Sequence, residues 1–164
     1  QDMRSFELYG TVRAVVSICD CMNYLLEEED LFKTFRLVNN YLDPDGIFIF
    51  DFNTIYKYRE ILGDSVIAEN REECSFIWEN YYDVEEEINE YDLTIFVQTQ
   101  EDLFQRFTET HLQRGYTLAQ MREILQKAGL VFLKAIDVDT QGEVTEQTER
   151  ICIIAREHGK RKEA

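Results

Sequence analysis

The chain has 164 residues, a formal net charge of −16, 45% hydrophobic content and 13% aromatic residues. This length provides one domain with its own core, and the aromatic content argues against disorder. Bare phosphate backbones and anionic membranes attract basic surfaces, so the charge predicts neither a nucleic-acid nor a membrane partner.

The four cysteines lack zinc-finger and CxxC spacing, and the chain holds only two histidines that could supplement them as ligands. We therefore expect buried free thiols in a reducing, cytoplasmic compartment, and no metal site.

The first elements predict a βαβ unit. Residues 12–18 and 47–52 are nearly continuous apolar runs, which is typical of parallel strands covered on both faces. Between them, residues 27–42 carry apolar side chains at helical spacing, with acidic residues at the start. Residues 43–46 contain the only proline and predict the turn that ends the helix and leads into the second strand.

An acidic antiparallel sheet is predicted next. A short helix over residues 55–62, capped by Thr54 and ended by Gly63, leads into residues 65–113, where apolar and polar side chains alternate. This pattern predicts a meander of three or four strands with one solvated face. Residues 69–102 hold twelve acids and one base, so most of the negative charge lies here. A negative lid of this kind would favour a cationic acceptor.

The last elements are a helix and a hairpin. Thr117 and Gln120 form a capping box, and Gly129 marks the end of the helix that follows. Residues 131–138 and 150–156 predict two strands of an antiparallel hairpin at a sheet edge, and the tail 156–164 is expected to fray. The fold class is therefore α/β, in which residues 1–64 and 114–164 form one domain and residues 65–113 form an inserted cap.

This order resembles the C-terminal part of a class I S-adenosylmethionine-dependent methyltransferase with a Rossmann-like fold, strands 4 to 7 and a terminal hairpin. The resemblance covers nearly the whole chain and rests on five segments, in chain order Gln1-Asp2-Met3-Arg4, Ser17 to Leu25, Leu42 to Thr54, Tyr116-Thr117-Leu118 and Lys127 to Leu130. Asp43 and Asp45 depart from the usual Leu-Lys-Pro-Gly-Gly turn. The inserted sheet points to small-molecule enzymes of a bacterial type.

The resemblance implies a cofactor, S-adenosylmethionine, and a set of site residues. Cofactor contacts are implied for Asp2, Met3, Cys19 and Asp20. Acceptor contacts are implied for Asn23, Tyr24, Asn53 and Trp78. The candidate catalytic residues are His111 and Tyr56, although a lone histidine in a strand more often has a structural partner. Open sheets of this type bind ligands at the carboxyl ends of their strands, where residues 19–24 and 51–56 lie.

One family motif is missing. The seven glycines are scattered, and none forms the glycine-rich loop that holds the cofactor in this family. We therefore expect that the chain lacks about the first third of the fold, that it binds the cofactor weakly or not at all, and that it is inactive alone. The exposed strand Val12 to Ile18 is then expected to self-associate.

The predicted function is methyl transfer to nitrogen or oxygen of a small molecule. A non-catalytic interaction module that uses the acidic sheet is the alternative. A nucleotide-binding oxidoreductase is disfavoured because the terminal antiparallel hairpin is typical of methyltransferases.

Overall fold

A computed structural model describes residues 1–100 and 103–160. The elements in chain order are β1 (Val12–Ser17), α1 (Glu28–Tyr41), β2 (Leu42–Asn53), β3 (Val66–Asn70), β4 (Cys74–Asp83), β5 (Ile88–Gln100), β6 (Leu103–Arg114), α2 (Leu118–Lys127), β7 (Val131–Asp137) and β8 (Arg150–Arg156). A 3₁₀ turn follows β1 at Cys21–Tyr24, and a π-helical turn follows β2 at Lys57–Leu62. No helix within the described ranges is long and apolar enough to cross a bilayer.

The strands form two four-stranded sheets. The first has the order β1-β2-β8-β7, with β1 parallel to β2 and β8 antiparallel to both of its neighbours. The second is the antiparallel meander β3-β4-β5-β6. The predicted parallel pair, meander and terminal hairpin are therefore confirmed. The division of these parts into two domains stays a prediction.

The core lies on one face of the first sheet. Phe48 and Phe50 of β2 are fully buried, and the centroid of the Phe35 ring of α1 lies 5.6 and 5.1 Å from theirs. Residues of α2 belong to the same apolar cluster, so both helices cover this face. The expectation that the parallel strands are covered on both faces is wrong for the described residues, because Val16 of β1 is 59% exposed.

The turn predicted over residues 43–46 needs correction. Residues 43–46 do not separate helix from strand, because β2 already begins at Leu42, which pairs with Val12. The register then moves from Val12/Leu42 to Ala14/Ile47, so residues 43–46 form a bulge within the strand, with Asp45 at φ 60°. A side chain cannot be added at Gly46 without a close contact, since a Cβ there would lie 2.9 Å from the Asp43 carbonyl oxygen.

The tail beyond β8 is held against α1 in its described part. Lys160 Nζ donates hydrogen bonds to the carbonyl oxygens of Asn39 and Asn40, each at 2.7 Å, at the C-terminal end of α1. A lysine there satisfies carbonyl groups that the helix leaves unpaired. The expected fraying is therefore wrong for residues 156–160, and residues 161–164 lie outside the described residues.

The meander has two chemically different faces. Side chains that are partners in the antiparallel register share a face. Tyr91 and His111 are partners on the face we call the inner face, whereas Glu79 and Asp92 are partners on the outer face. Glu79, Asp92 and Glu90 are all exposed. Three acids of the central strands thus project away from the inner face, so they act on a ligand there only over longer range, and the preference for a cationic acceptor stays a prediction.

Candidate functional site

Two consecutive residues after β1 have left-handed backbone conformations. Cys19 and Asp20 lie at φ 65° and 51°, a region that costs energy for residues with a side chain. The carboxylate of Asp51 holds them there, because it accepts hydrogen bonds from the backbone N–H of Cys19 at 3.2 Å and of Asp20 at 2.8 Å. Asp51 lies in β2 and is 7% exposed. The loop at the carboxyl end of β1 is therefore fixed by a charge inside the neighbouring strand.

The side chain of Asp20 is the centre of a polar network. Its Oδ1 accepts a hydrogen bond from Arg150 Nη2 at 2.8 Å. Its Oδ2 accepts from Gln113 Nε2 at 2.7 Å and from Asn53 Nδ2 at 3.3 Å. These donors come from β8, β6 and β2, so three strands meet at one carboxylate.

Arg150 connects the two carboxylates of the site. Its Nε lies 3.7 Å from Asp51 Oδ2, in addition to the contact of its Nη2 with Asp20. Arg150 is the register partner of Asn53 across β2 and β8, which places the first residue of β8 beside the last residue of β2. Because one guanidinium faces two carboxylates, the cluster keeps a formal charge of −1.

A buried tyrosine forms hydrogen bonds with two members of the network. Tyr58, in the π-helical turn, is 1% exposed; its hydroxyl accepts a hydrogen bond from Asn53 Nδ2 at 3.1 Å and donates one to Gln113 Oε1 at 2.9 Å. Burial raises the pKa of Tyr58 above its usual value, so the phenol stays neutral and can donate. Both amides that contact Asp20 are thereby fixed in orientation. π-Helical turns are often found at functional sites.

Asn23 ties the 3₁₀ turn to the two sheets. It is fully buried; its Nδ2 donates to the carbonyl oxygens of Asn53 at 2.9 Å and Arg114 at 2.7 Å, and its Oδ1 accepts from the backbone N–H of Asn53 at 2.8 Å. Its amide hydrogen-bonding groups are therefore used within the protein. Asn23 therefore holds Asn53 in place, whereas the sequence analysis predicts that Asn23 contacts the methyl acceptor.

Aromatic side chains of the meander lie next to the 3₁₀ turn. The Tyr24 hydroxyl is hydrogen-bonded to His111 Nδ1 at 2.9 Å and to the Tyr91 hydroxyl at 3.1 Å. The Tyr91 ring stacks on His111 with a centroid distance of 4.7 Å, and its centroid lies 5.3 Å from that of Trp78. The inner face thus presents an aromatic cluster to the same side as Asp20.

The structure brings together Cys19, Asp20, Asn23, Tyr24, Asn53, Trp78 and His111 from the predicted set. Asp2 and Tyr56 lie elsewhere. Arg4 donates to the Asp2 carboxylate at 2.6 Å from Nη2 and holds the pKa of Asp2 at about 2. Tyr56 lines a separate cleft of about 430 Å³ together with Arg59. Met3 packs against the core.

Sequence reasoning assigned no individual role to five residues of the site, namely Asp51, Tyr58, Tyr91, Gln113 and Arg150. Only Asp51 carries a signal in the sequence, because a carboxylate in the middle of an apolar strand must find buried partners. The others are ordinary residues of alternating strands or of a short helix, and only the three-dimensional contacts distinguish them.

The first sheet, with its parallel pair, terminal hairpin and polar network at the strand ends, resembles the Rossmann-like methyltransferase architecture. No protein-family model matches the chain. It is 34% identical over 157 residues to a protein named "Putative methyltransferase YqeM" from Bacillus subtilis (strain 168), which covers 95% of this chain and 63% of that protein.

Two solved structures agree with this architecture. An S-adenosylmethionine-dependent methyltransferase from Clostridium acetobutylicum ATCC 824 has a TM-score of 0.89 at 28% identity, over 97% of this chain and 63% of the other. CalS10, an amino pentose methyltransferase from Micromonospora echinaspora, has a TM-score of 0.73 at 16% identity, over 96% of this chain and 63% of the other. The chain is therefore similar in sequence and fold to S-adenosylmethionine-dependent methyltransferases, and it spans 63% of the length of these proteins.

Proposed function

We propose that the protein containing this chain transfers a methyl group from S-adenosylmethionine to nitrogen or oxygen of a small molecule. The observation that carries this proposal is the network around Asp20, which lies where the parallel strands β1 and β2 end. Ligands of open α/β sheets bind at this edge. The relationship to methyltransferases supports the choice of cofactor.

The residues present fit the amino-acid part of this cofactor. A carboxylate offers about four acceptor positions, and Asp20 uses three of them for Arg150, Gln113 and Asn53. One position remains for the cofactor's ammonium group, and Asp20 is partly exposed toward solvent. The backbone of Cys19 and Asp20 would form the wall beside it. When bound, the cofactor supplies an activated methyl group on a sulfonium.

Several buried polar atoms have no hydrogen-bond partner within the described residues. The indole Nε1 of Trp78 and the amide Oδ1 of Asn53 are two of them. An unpaired buried donor or acceptor costs about 1–3 kcal/mol, which a bound ligand can remove. We assign the indole N–H of Trp78 and the Oδ1 of Asn53 as the groups that form hydrogen bonds with the substrate to be methylated, with Tyr24 beside them.

The protein's own task in such a reaction is alignment and exclusion of water. Asn53 orients the acceptor, and Trp78 and Tyr91 form the apolar wall of the site. His111 is the better of the two candidate bases, because it belongs to the aromatic cluster, whereas Tyr56 faces the other cleft. We keep Asp2 and Met3 as proposed contacts of the cofactor's adenine. To bind the adenine, Asp2 would have to give up its hydrogen bonds with Arg4.

The outer face of the meander supports a second candidate, an interaction with a basic partner. Glu79 and Asp92 are register partners, and like charges at such positions destabilise a sheet. Exposed Tyr81 and Ile77 lie on the same face and offer apolar contacts. A basic, partly apolar surface would compensate this charge.

The free edge of β1 supports self-association. In the described part of the chain β1 pairs only with β2, and Val16 and Ile18 are 59% and 56% exposed. Unpaired apolar edges recruit further strands. We expect sedimentation at high concentration to show oligomers that Val16→Lys removes; a monomer at all concentrations contradicts this.

A titration with S-adenosylhomocysteine, followed by ¹⁵N NMR, tests the methyltransferase proposal. Because the sequence lacks a glycine-rich loop, we expect weak binding that requires millimolar ligand. The amide signals of residues 18–24 and 51–54 should shift, and NADH at the same concentration should leave them unchanged. Shifts confined to the cleft of Tyr56 and Arg59, no shifts at all, or equal shifts with NADH would contradict the proposal.

A further inference from the structure

Four side chains form a continuous hydrogen-bonded path across the inner face. The Tyr91 hydroxyl lies 3.1 Å from the Tyr24 hydroxyl, which lies 2.9 Å from His111 Nδ1. On the far side of the imidazole, Nε2 lies 3.2 Å from Glu109 Oε2. The path joins the 3₁₀ turn beside Asp20 to strands β5 and β6.

The two ends of the path differ in exposure, and Tyr24 between them is 42% exposed. Burial is the main reason that the pKa of Tyr91 lies above its usual value, and hydrogen bonding with Tyr24 and the charge of Asp20 act in the same direction. The His111 side chain is 25% exposed, and that of Glu109 is 62% exposed. One end of the path is therefore close to the carboxylate at the centre of the site, and the other end is in contact with solvent.

The chemistry of the groups gives the path one direction. An ionised carboxylate only accepts hydrogen bonds, so His111 Nε2 must be the nitrogen that donates to Glu109. In a neutral imidazole Nδ1 is then the acceptor, and the Tyr24 hydroxyl must donate to it. The Tyr24 oxygen in turn accepts from Tyr91. Every proton in this arrangement points from the site toward solvent.

We propose that Tyr24 and His111 conduct the proton that the methyl acceptor releases, and that Glu109 positions the imidazole for this step. The inference rests on the proposed methyl transfer. When a neutral nitrogen or oxygen bearing a hydrogen gains a methyl group, it becomes a cation and gives a neutral product only by losing that proton. The proton passes to the Tyr24 oxygen as the Tyr24 proton passes to His111 Nδ1, and the imidazolium so formed is paired with Glu109. When the Nε2 proton leaves to water, the imidazole is neutral with its proton on Nδ1, and exchange of both nitrogens with water restores the proton to Nε2.

The path also restricts the acceptor. Methylation of a tertiary amine or of a thioether releases no proton, so the path has no use for such molecules. The acceptor class that fits is an amine with at least one N–H or an alcohol. Glu109 is a positioning residue in this scheme, since it fixes the imidazole tautomer and stabilises its charge without touching the acceptor.

NMR of the imidazole tests the path without cofactor. His158→Gln leaves His111 as the sole histidine, and long-range ¹H–¹⁵N spectra then report which ring nitrogen holds the proton. We expect the proton on Nε2 in the neutral form. Tyr24→Phe removes the donor to Nδ1 and should shift the Nδ1 signal, and Glu109→Gln should increase the population with the proton on Nδ1.

The control variants are Tyr81→Phe and Glu90→Gln, which change the same residue types on the outer face and should leave both signals in place. A proton on Nδ1 in the parent protein, or an Nδ1 signal that Tyr24→Phe does not move, would overturn the path. These spectra do not depend on the cofactor. If the spectra contradict the path while S-adenosylhomocysteine shifts the signals of residues 18–24, the proposed function stands. If the spectra support the hydrogen-bonded path but S-adenosylhomocysteine causes no shifts, the proposed function fails and the path loses its role in methyl transfer.

Discussion

Replacement of Asp51 by asparagine tests how the site loop is built. The carboxylate accepts two backbone N–H groups, from Cys19 and Asp20, both in left-handed conformations, and it faces Arg150. Hydrogen bonds to a charged group contribute about 1.5–3 kcal/mol each, and an asparagine can accept only one of the two while its NH₂ faces the other donor. We expect a loss of about 2–4 kcal/mol in the free energy of unfolding, or roughly 5–15 °C in Tm for a domain of this size.

Urea denaturation followed by circular dichroism measures this loss, and hydrogen exchange of the Cys19 and Asp20 amides localises it. Asp137→Asn is the matched control. Asp137 also accepts two backbone N–H groups, from Asp139 and Thr140, but it is the last residue of β7. Both variants should be destabilised, and only Asp51→Asn should speed exchange at Cys19 and Asp20. A stability change within about 0.5 kcal/mol, as for ordinary surface substitutions, would refute the reasoning.

Three further predictions concern stability. Asn23→Ala should cost about 3 kcal/mol, because it removes three buried hydrogen bonds; chemical denaturation should show a much smaller loss for Asn39→Ala, whose side chain donates one bond of 3.3 Å. Phe50→Ala should lower the free energy of unfolding by about 3–5 kcal/mol, because it leaves a cavity in the core. Phe107→Ala, at a side chain that is 45% exposed, should lower it by less than about 1 kcal/mol, and equal losses would contradict the core assignment. The N–H of Thr140 holds the pKa of Asp137 below its usual value, so its stabilisation is present above the unfolded-state pKa of about 4 and is lost as the pH falls through the lower folded value. The difference in Tm between the parent protein and Asp137→Asn should therefore shrink in acid; a constant difference would contradict this.

Local patterns predicted most of the helices and strands. The helix predicted over residues 27–42 is α1, and the capping box of Thr117 and Gln120 is present at the start of α2 with both of its hydrogen bonds. These features depend on residues a few positions apart, so the sequence contains the information directly. The bulge at residues 43–46 escaped prediction because its geometry depends on pairing with β1.

The candidate site was only partly predictable for the same reason. Asp20 and Asn53 follow the strands whose ends meet, and a rule about such sheets located them. Their partners could not be found in this way, since Arg150 lies 130 positions from Asp20 and Gln113 lies 93 positions away. Alternation in the meander predicted two faces, but it could not determine which face turns toward the site.

The affinity for S-adenosylhomocysteine is the most direct test of the claim that the network around Asp20 is a cofactor site. Asp20→Asn removes the charge that the ammonium group would contact, and we expect it to weaken binding about tenfold, equivalent to about 1.4 kcal/mol. Asp137→Asn, which changes a carboxylate at the end of β7 that does not belong to the network around Asp20, should bind as the parent protein does. Equal affinity of the parent protein and Asp20→Asn in the same NMR titration would contradict the account.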